Sequence, residues 1–349
     1  MSTTVKPRLV YIPWSGIGDL VMALPMLTCL RDHYQVLPIT QLQHKALVEL
    51  LQADDILEPD LPVVSNLRFR SNPRGSWQVL RQLNDLKPSV TLLYGKTLFA
   101  AASLTGASRS GLTLYSTLNR RRQQASSEAY RNRGRGLGRL TCLDSSGNQV
   151  EDHWRFIDYL KHERRDHRWR LTPEARERLR RTIPGDFQDT RYVVVAPWTS
   201  DKRRDAHLDY FRRVVECVTG DLGLTVLITG QANHADQVHR LTSGLPRERI
   251  VNLTGKTSLA DLLGLLAGAR FVVANDSGNM HLAVLLGTPS VVLFTSTSPD
   301  MLVSRQWNES VSAVQFPLTR SGHAATIPGG LRKSLLEVTI PEALQNTWR

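Results

Sequence analysis

The chain has 349 residues, of which 41% are hydrophobic and 22% are charged, and its net charge is +12. This length suggests two domains of ordinary size, each able to bury its own core. No apolar run approaches the roughly 18 residues that a membrane-spanning helix needs, so no such helix is expected. The first apolar run, which follows Lys6 and Arg8, stops at Pro13 and is not typical of a signal peptide.

The cysteines and the charge narrow the class of protein only in part. Cys29, Cys142 and Cys217 are scattered without close pairs. This spacing indicates neither a disulfide framework nor a zinc site, and it fits a reducing cytoplasm. The positive charge is compatible with nucleic acid, an anionic membrane surface or a phosphorylated substrate, and charge alone does not choose among these partners.

A glycine-containing loop follows the first predicted strand, residues 8–13. It resembles a dinucleotide-binding fingerprint, but Gly16-x-Gly18 is followed by Val21 where the third glycine would stand. Asp19 comes directly after this loop, at the start of an apolar helix. Taken alone, an aspartate here is most readily explained as a helix N-cap, although a carboxylate at the edge of a cleft can also act as a general base.

Strand and helix patterns alternate along the rest of the chain, which predicts two successive β/α domains of the Rossmann type. The predicted strands lie at 90–94, 192–196, 224–229 and 249–253, and the predicted helices at 44–53, 76–86, 151–162, 207–218, 259–266 and 341–348. A charge-rich stretch at 161–190 contains the predicted domain boundary, near residue 170. His153 and His162 are interpreted as surface or boundary residues and not as ligands.

Residues 109–139 form a strongly basic segment that contains a single acid, Glu128. Three glycines interrupt its second half, which predicts a mobile segment and not a core element. It could be an ordinary solvated loop, or its guanidinium groups could clamp phosphate or carboxylate groups with paired hydrogen bonds. The arginines are Arg109, Arg120, Arg121, Arg122, Arg131, Arg133, Arg135 and Arg139.

A polar loop, PWTSDKRR at residues 197–204, follows the predicted strand 192–196. Ligands of open α/β sheets bind beyond the carboxyl ends of strands. The hydroxyls of Thr199 and Ser200 and the ammonium of Lys202 therefore suit a diphosphate, and an ordinary polar loop with a solvated lysine is the alternative. Further along, Thr257 or Ser258 is interpreted as the cap of helix 259–266.

Residues 271–294, FVVANDSGNMHLAVLLGTPSVVLF, combine a buried strand at 271–274, a turn, a short helix at 281–286 and a second buried strand at 290–294. Ser277 and Gly278 lie on the loop that leads into the helix. The first N–H groups of a helix lack internal partners, and the dipole there favours negative charge. This pair could therefore bind a phosphate, or it could only cap the helix while His281 packs beneath it.

The run Asp276-Ser277-Gly278-x-x-His281-x-Ala283-x-x-x-Gly287-Thr288-Pro289, which ends in Val291-Val292-Leu293-Phe294, resembles the C-terminal motif of family 9 glycosyltransferases. These are the bacterial heptosyltransferases of lipopolysaccharide core synthesis. Gly18-Asp19 followed by Pro25 resembles the N-terminal motif of the same family. The resemblance covers most of the chain and is strongest at 271–294.

This resemblance implies an α/β GT-B fold with two Rossmann-like domains facing a central cleft. Residues 1–170 would bind the acceptor and residues 171–349 the donor, with the last helix packing back on the first domain. The implied activity is an inverting, metal-independent transfer of heptose from ADP-heptose to a lipopolysaccharide core acceptor, without a cofactor. The implied location is the cytoplasm, with peripheral contact to the inner leaflet of the inner membrane as a further expectation.

The resemblance also implies roles for individual residues. Asp19 matches the proposed catalytic base. The implied donor-binding residues are Thr199, Ser200, Lys202, Asp276, Ser277, Gly278 and His281. The implied acceptor-binding residues are Gly18, Arg109, Arg120, Arg121 and Arg122. No Asp-x-Asp occurs in the chain, which argues against the metal-bridged diphosphate site of the other large glycosyltransferase class.

The chain departs from the family pattern at two places. Arg203-Arg204-Asp205-Ala206 stands where the family often has a Trp-Pro pair, and Gln231 or Asn233 stands where an acid often bonds the ribose. Three alternatives therefore stay open: another nucleotide sugar as donor, a nucleotide-sugar epimerase, and a basic nucleic-acid-binding protein. The last fits the charge, but the basic segment offers only Tyr115 and Tyr130 for stacking and no known module.

Overall fold

The computed structural model describes residues 6–13, 16–39, 42–59, 85–94, 112–116, 139–183, 187, 191–303 and 311–315. The chain divides into two compact units, Met1–Trp169 and Arg170–Arg349. Each unit contains one parallel β-sheet with helices beside it, so the predicted α/β class is confirmed. None of the helices in the described ranges has both the length and the apolar character that crossing a membrane requires.

The sheet of the first unit contains five parallel strands in the described part of the chain. Their bounds are β1 Arg8–Ile12, β2 Gln35–Pro38, β3 Val90–Tyr94, β4 Leu112–Ser116 and β5 Arg139–Cys142. The spatial order is β2-β1-β3-β4-β5, which places the switch between the two directions of winding at β1 and β3. The predictions for β1 and β3 are confirmed because strands buried on both faces are written as continuous apolar runs.

The described helices of the first unit follow the predicted order along the chain. Their bounds are Ile17–Leu30, Lys45–Ala53 and Gln149–Tyr159, with a short 3₁₀ turn at Leu42–His44. Ile17–Leu30 is apolar around most of its circumference and nearly all of it is buried, as expected for a helix packed deep within a domain. The predicted helices 76–86 and 341–348 lie, apart from the end of the first, outside the described residues.

The prediction that the basic segment 109–139 contains no core element is wrong. Strand β4 lies within this segment, pairs with β3 on one side and β5 on the other, and buries Leu114 and Tyr115. Tyr115 is therefore unavailable for stacking on a nucleic-acid base. The prediction failed because the many arginines of the segment dominate its composition and the apolar run of β4 is short. The predicted acceptor residues Arg109, Arg120, Arg121 and Arg122 lie outside the described residues.

The sheet of the second unit contains six parallel strands in the described ranges. Their bounds are β6 Tyr192–Ala196, β7 Thr225–Ile228, β8 Ile250–Asn252, β9 Val272–Asn275, β10 Ser290–Phe294 and β11 Val311–Gln315. The spatial order is β11-β10-β9-β6-β7-β8. If β6 to β11 are renumbered 1 to 6, the order read from the β8 edge is 3-2-1-4-5-6, which is the strand order of a Rossmann domain.

The described helices of the second unit connect these strands. They are Pro173–Arg180, Leu208–Glu216, Ala235–Thr242, Leu259–Gly268, Gly278–Leu286 and Pro299–Leu302. A π-helical turn lies at Cys217–Asp221, and 3₁₀ turns lie at Lys202–Arg204, Ala232–His234 and Arg247–Arg249. The first helix falls in the stretch predicted as a charge-rich boundary, where the Thr172 hydroxyl accepts from the N–H of Ala175 at 3.1 Å and so caps it.

The interpretation of Ser258 as a helix cap is confirmed. Its Oγ accepts from the N–H of Asp261 at 3.2 Å, and the carboxylate of Asp261 accepts from the N–H of Ser258 at 2.8 Å. Two unpaired donors at the helix start are satisfied in this way.

The interpretation of His153 as a surface or boundary residue is wrong. Its ring is buried in the first unit, and its Nε2 lies 2.8 Å from the hydroxyl oxygen of Tyr11. Burial lowers the pKa of His153 to about 3, so the ring is neutral at physiological pH. A polar residue at a core position of an amphipathic helix interrupts the apolar pattern from which burial is read.

Candidate functional site

The strand order of the second unit brings the two predicted donor loops side by side. Residues 197–204 follow β6, and Asp276 and Ser277 follow β9. Strands β6 and β9 are paired neighbours, and the winding of the sheet reverses between them. Open α/β sheets bind ligands at this switch point, beyond the carboxyl ends of the strands.

Asn275 ties the two loops together at the end of β9. Its side chain is fully buried, donates to the carbonyl of Pro197 at 2.5 Å and accepts from the N–H of Ala206 at 3.1 Å. The sequence interpretation placed Asn275 in the turn and assigned it no contact. An asparagine at the end of an otherwise apolar strand is the signal that could have indicated it.

Asp276 is the point at which three loops meet. Its side chain is 3% exposed, its Oδ2 accepts from the hydroxyl of Thr297 at 2.8 Å, and Arg204 Nη1 lies 3.5 Å from the same oxygen. Arg204 Nη2 also donates to the Ser200 hydroxyl at 3.3 Å. The structure therefore places Arg204 against the Asp276-Ser277-Gly278 turn, a contact that sequence reasoning missed although it noted Arg204 as a departure from the family pattern.

Thr199 and Lys202 differ from Arg204 in what they contact. The Thr199 hydroxyl donates to the carbonyl of Asp201 at 2.6 Å, and its N–H donates to the Asp205 carboxylate at 2.8 Å, so Thr199 shapes the loop. Lys202 is exposed on the short turn Lys202–Arg204. The structure thus brings Ser200, Asp276 and Arg204 together, while Lys202 lies on the solvent side of the loop.

Ser277 begins the helix Gly278–Leu286 without capping it through its side chain. Its backbone is extended, with φ −149° and ψ 174°, and its side chain makes no cap hydrogen bond. Within the described part of the chain its Oγ is buried without a hydrogen-bond partner. A buried hydroxyl without a partner is unfavourable, and the first turn of this helix contains no acid that would neutralise its positive end. These features indicate a site prepared for an anionic group.

His281 lies beneath this turn, one helical turn after Ser277, and is buried. Burial lowers the pKa of His281 to about 4, with Asp276 opposing the shift and Arg204 reinforcing it. The imidazole is therefore neutral at physiological pH, which agrees with a packing role. Among the described residues, no group of three His, Cys, Asp or Glu side chains lies close enough to hold a metal ion.

Asp19, the predicted base, is held in the first unit from two sides. It is the third residue of helix Ile17–Leu30, and Gly16 is the N-cap. Asp19 Oδ2 accepts from the N–H of Gly16 at 2.8 Å, and Oδ1 accepts from Gln149 Nε2 at 3.0 Å. Asp19 is thus not an N-cap but the acidic partner of one, and Gly18 is buried beside it.

Comparison with known proteins identifies relatives of this chain. Residues 152–323 match the family model described as glycosyltransferase family 9 (heptosyltransferase). Lipooligosaccharide heptosyltransferase 2 of Haemophilus influenzae is 30% identical over 149 residues, 41% of this chain and 42% of that protein. Lipopolysaccharide heptosyltransferase 2 of Escherichia coli is 30% identical over 130 residues, 36% of each. The matches thus span about two fifths of the length of these relatives.

Solved structures extend the likeness to the whole fold. The E. coli ADP-heptose lipopolysaccharide heptosyltransferase II has a TM-score of 0.69 at 15% identity and covers 98% of both chains. The E. coli heptosyltransferase WaaC with ADP has a TM-score of 0.69 at 17% identity and covers 95% of this chain and 100% of that one.

These matches define the class of the protein. The structural likeness confirms the predicted GT-B fold. The family match confirms the resemblance found in the sequence: residues 152–323 match the model of glycosyltransferase family 9.

Proposed function

We propose that the protein is a glycosyltransferase that moves a heptose from ADP-heptose to a lipopolysaccharide core acceptor. Its curated relatives are named as heptosyltransferases of lipopolysaccharide or lipooligosaccharide, and WaaC has been solved with ADP and with ADP-2-deoxy-2-fluoro heptose. The observation that carries the proposal is the buried hydroxyl of Ser277 at a helix N-terminus, which has no hydrogen-bond partner in the described part of the chain and directly follows Asp276, the contact of Arg204. This arrangement suits the diphosphate of a nucleotide sugar.

The donor half of the mechanism is charge neutralisation of the leaving group. The N-terminal N–H groups of helix Gly278–Leu286 and the Ser277 hydroxyl would donate to the diphosphate, while Arg204 and Lys202 supply positive charge. Asp276 would hold Arg204 in place, and Thr199 and Ser200 would shape the loop. Because two cationic side chains and a helix dipole meet the charge, we propose that transfer proceeds without a metal ion.

The acceptor half of the mechanism is assigned to the first unit. The carboxylate of Asp19 would take the proton of an acceptor hydroxyl while its oxygen forms a bond to the anomeric carbon. The bond from that carbon to the diphosphate oxygen breaks, and ADP leaves with the electron pair, so the configuration inverts. Gly18 and the arginines Arg109, Arg120, Arg121 and Arg122 stay predicted acceptor contacts, as does peripheral contact with the inner leaflet.

The donor site is tested by calorimetric titration with ADP, UDP and GDP in the absence of metal. We expect selective binding of ADP, weakened roughly tenfold or more in Arg204→Gln, because a hydrogen bond to a charged group is lost. Arg203→Gln is the matched control: its guanidinium is exposed and pairs with Asp201 at 2.6 Å, so affinity should persist. Preference for UDP or GDP would discard heptose as the sugar, and binding of none of the three would contradict the donor site.

The catalytic assignment is tested by Asp19→Asn in a transfer assay with ADP-heptose and a core glycolipid. We expect the rate to fall about 10²- to 10⁴-fold, the usual contribution of a general base, with ADP affinity unchanged. An asparagine keeps an acceptor for the N–H of Gly16 but places an amide NH2 against Nε2 of Gln149, so we expect a modest fall in the melting temperature and a protein that is still folded. If Asp19→Asn transfers heptose at the rate of the unmodified protein, Asp19 is not the base.

A further inference from the structure

A buried glutamine from a distant part of the chain contacts the carboxylate of Asp19. Gln149 is the first residue of helix Gln149–Tyr159 and is 3% exposed. Its amide Nε2 donates to Asp19 Oδ1 at 3.0 Å, while Gly16 N–H donates to Oδ2 at 2.8 Å. Each carboxylate oxygen thus has a fixed donor, and the orientation of the carboxylate plane is set by two elements of the fold.

The glutamine is itself held in place by the start of its helix. Asn148 caps this helix, and its side-chain oxygen accepts from the N–H groups of Val150 at 2.9 Å and Glu151 at 3.2 Å. One turn further on, the buried carboxylate of Asp152 accepts from the hydroxyls of Ser145 at 2.6 Å and Ser146 at 2.7 Å. The helix start that carries Gln149 is therefore fixed by hydrogen bonds, and the Gln149 amide is held in place where a surface side chain would move freely.

We propose that Gln149 is a positioning residue for the proposed base, keeping the Asp19 carboxylate deprotonated and oriented for the acceptor hydroxyl. The inference rests on the proposed function. Because each oxygen of the Asp19 carboxylate accepts from an N–H donor, a proton on either oxygen weakens one of these hydrogen bonds, and the two bonds therefore favour the ionised form. The bond from Gln149 also prevents Oδ1 from rotating away, and correct orientation of a base is part of its catalytic effect.

Among the described residues, Tyr11, Tyr94 and His153 lie near Asp19, and burial moves the pKa of each of them away from the neutral range. Burial raises the pKa of Tyr11, and Asp19 raises it further. Burial is also the main cause of the raised pKa of Tyr94, with smaller contributions from Asp152, Tyr11 and Asp19. His153, between these rings, is neutral because burial lowers its pKa to about 3. Asp152 accepts hydrogen bonds from Tyr94, Ser145 and Ser146.

Two variants separate orientation from charge. Gln149→Glu places a second carboxyl group against Asp19, and two carboxylates that share a site raise the pH at which one of them ionises. We expect the acid limb of the kcat/KM profile to move up by about one pH unit or more. Gln149→Met keeps the volume and removes the donor, and we expect kcat to fall roughly tenfold or more while KM changes little.

Glu151→Gln is the matched control, because Glu151 lies on the same helix and its half-exposed carboxylate pairs with Arg164 at 3.8 Å. This variant changes a charge on the helix while the Asn148 cap and the bond from Gln149 to Asp19 stay in place, so we expect the acid limb to stay where it is. If Gln149→Glu leaves the acid limb unmoved, or Glu151→Gln moves it equally, the inference is wrong.

A second readout does not depend on transfer activity. The carboxyl carbon of Asp19, assigned with Asp19→Asn, is titrated by NMR in the unmodified protein and in Gln149→Glu. We expect the midpoint to rise in Gln149→Glu, and an unchanged midpoint overturns the inference. Absence of transfer in the unmodified protein, with the midpoint shift present, would instead contradict the proposed function.

Discussion

Two serines at the starts of helices show how far the role of a residue depends on its contacts. Ser258 and Ser277 both precede helices in the second unit and look alike in the sequence. The Ser258 hydroxyl donates to the Asp261 carboxylate at 2.7 Å and accepts from its N–H, whereas the Ser277 side chain makes no cap bond. The first hydroxyl thus stabilises its helix, whereas the second has no hydrogen-bond partner among the described residues and fits the proposed contact with the donor.

We predict opposite effects for the two alanine variants. Ser258→Ala should lower the free energy of unfolding by about 1 kcal/mol, the usual cost of losing a cap, and leave ADP affinity unchanged. Ser277→Ala should leave the free energy of unfolding unchanged or raise it, because it removes a buried hydroxyl that has no hydrogen-bond partner among the described residues, and it should weaken ADP binding several-fold. Urea unfolding and calorimetry measure the two quantities. If Ser277→Ala lost as much stability as Ser258→Ala, the Ser277 hydroxyl would stabilise the fold, and the prediction would be wrong.

At the scale of elements, the turn after helix Gly278–Leu286 determines where the chain enters β10. Gly287 has a left-handed backbone with φ +65°, and apart from its chain neighbours no atom of the described residues lies within 4 Å of the position that a Cβ would take. Thr288 then anchors the turn by donating from its hydroxyl to the carbonyl of Leu266 at 2.9 Å. Any cost of a side chain at Gly287 therefore comes from the backbone and not from crowding.

Gly287→Ala should lower the free energy of unfolding by about 1 kcal/mol, because an L-residue is strained in the left-handed region. Gly220→Ala is the matched control: its surroundings are equally open and its φ lies outside the left-handed range. We expect that substitution to be neutral or slightly stabilising, since alanine reduces the entropy of the unfolded chain. Equal losses in urea unfolding would mean that the conformation of Gly287 is not what matters.

At the scale of the whole molecule, each unit buries a neutral histidine. His153 lies in the first unit and His281 in the second, and burial lowers their pKa values to about 3 and about 4. In the unfolded chain a histidine titrates near pH 6.5. Above that pH the histidine is neutral in both the folded and the unfolded state. Below it the unfolded chain binds more protons than the folded protein. Stability is therefore lost as pH falls from about 6.5 towards the folded-state pKa values.

Between about pH 7.5 and about pH 5 we expect each of these histidines to remove about 2 kcal/mol from the free energy of unfolding. His281→Gln should reduce the loss of unfolding free energy between these two pH values by about 2 kcal/mol, whatever its effect on stability at neutral pH. His239→Gln, at an exposed histidine, serves as the control and should leave the slope unchanged. Denaturant unfolding at the two pH values measures the slopes, and an identical slope in His281→Gln would refute the prediction.

The amino-acid sequence by itself determined the elements that local patterns encode. Strands β3, β6 and β10 were predicted with the bounds observed, because parallel strands buried on both faces are written as short apolar runs. The Ser258 cap followed from residue type and position. The motif at 276–289 identified the family and, through it, the fold. The helix after Ser277 was predicted three residues too short because Gly278 and Asn279 are weak helix formers.

Tertiary structure alone decided which side chains meet. Arg204 and Asp276 are 72 residues apart, and Gln149 and Asp19 are 130 residues apart. No local pattern pairs such residues, because their contact depends on which strands are neighbours and on how each helix packs. The same holds for β4, whose five residues stand beside arginines and are recognisable as core only once β3 and β5 flank them. Local sequence thus encodes backbone conformation, whereas sheet order and packing determine the chemistry of the site.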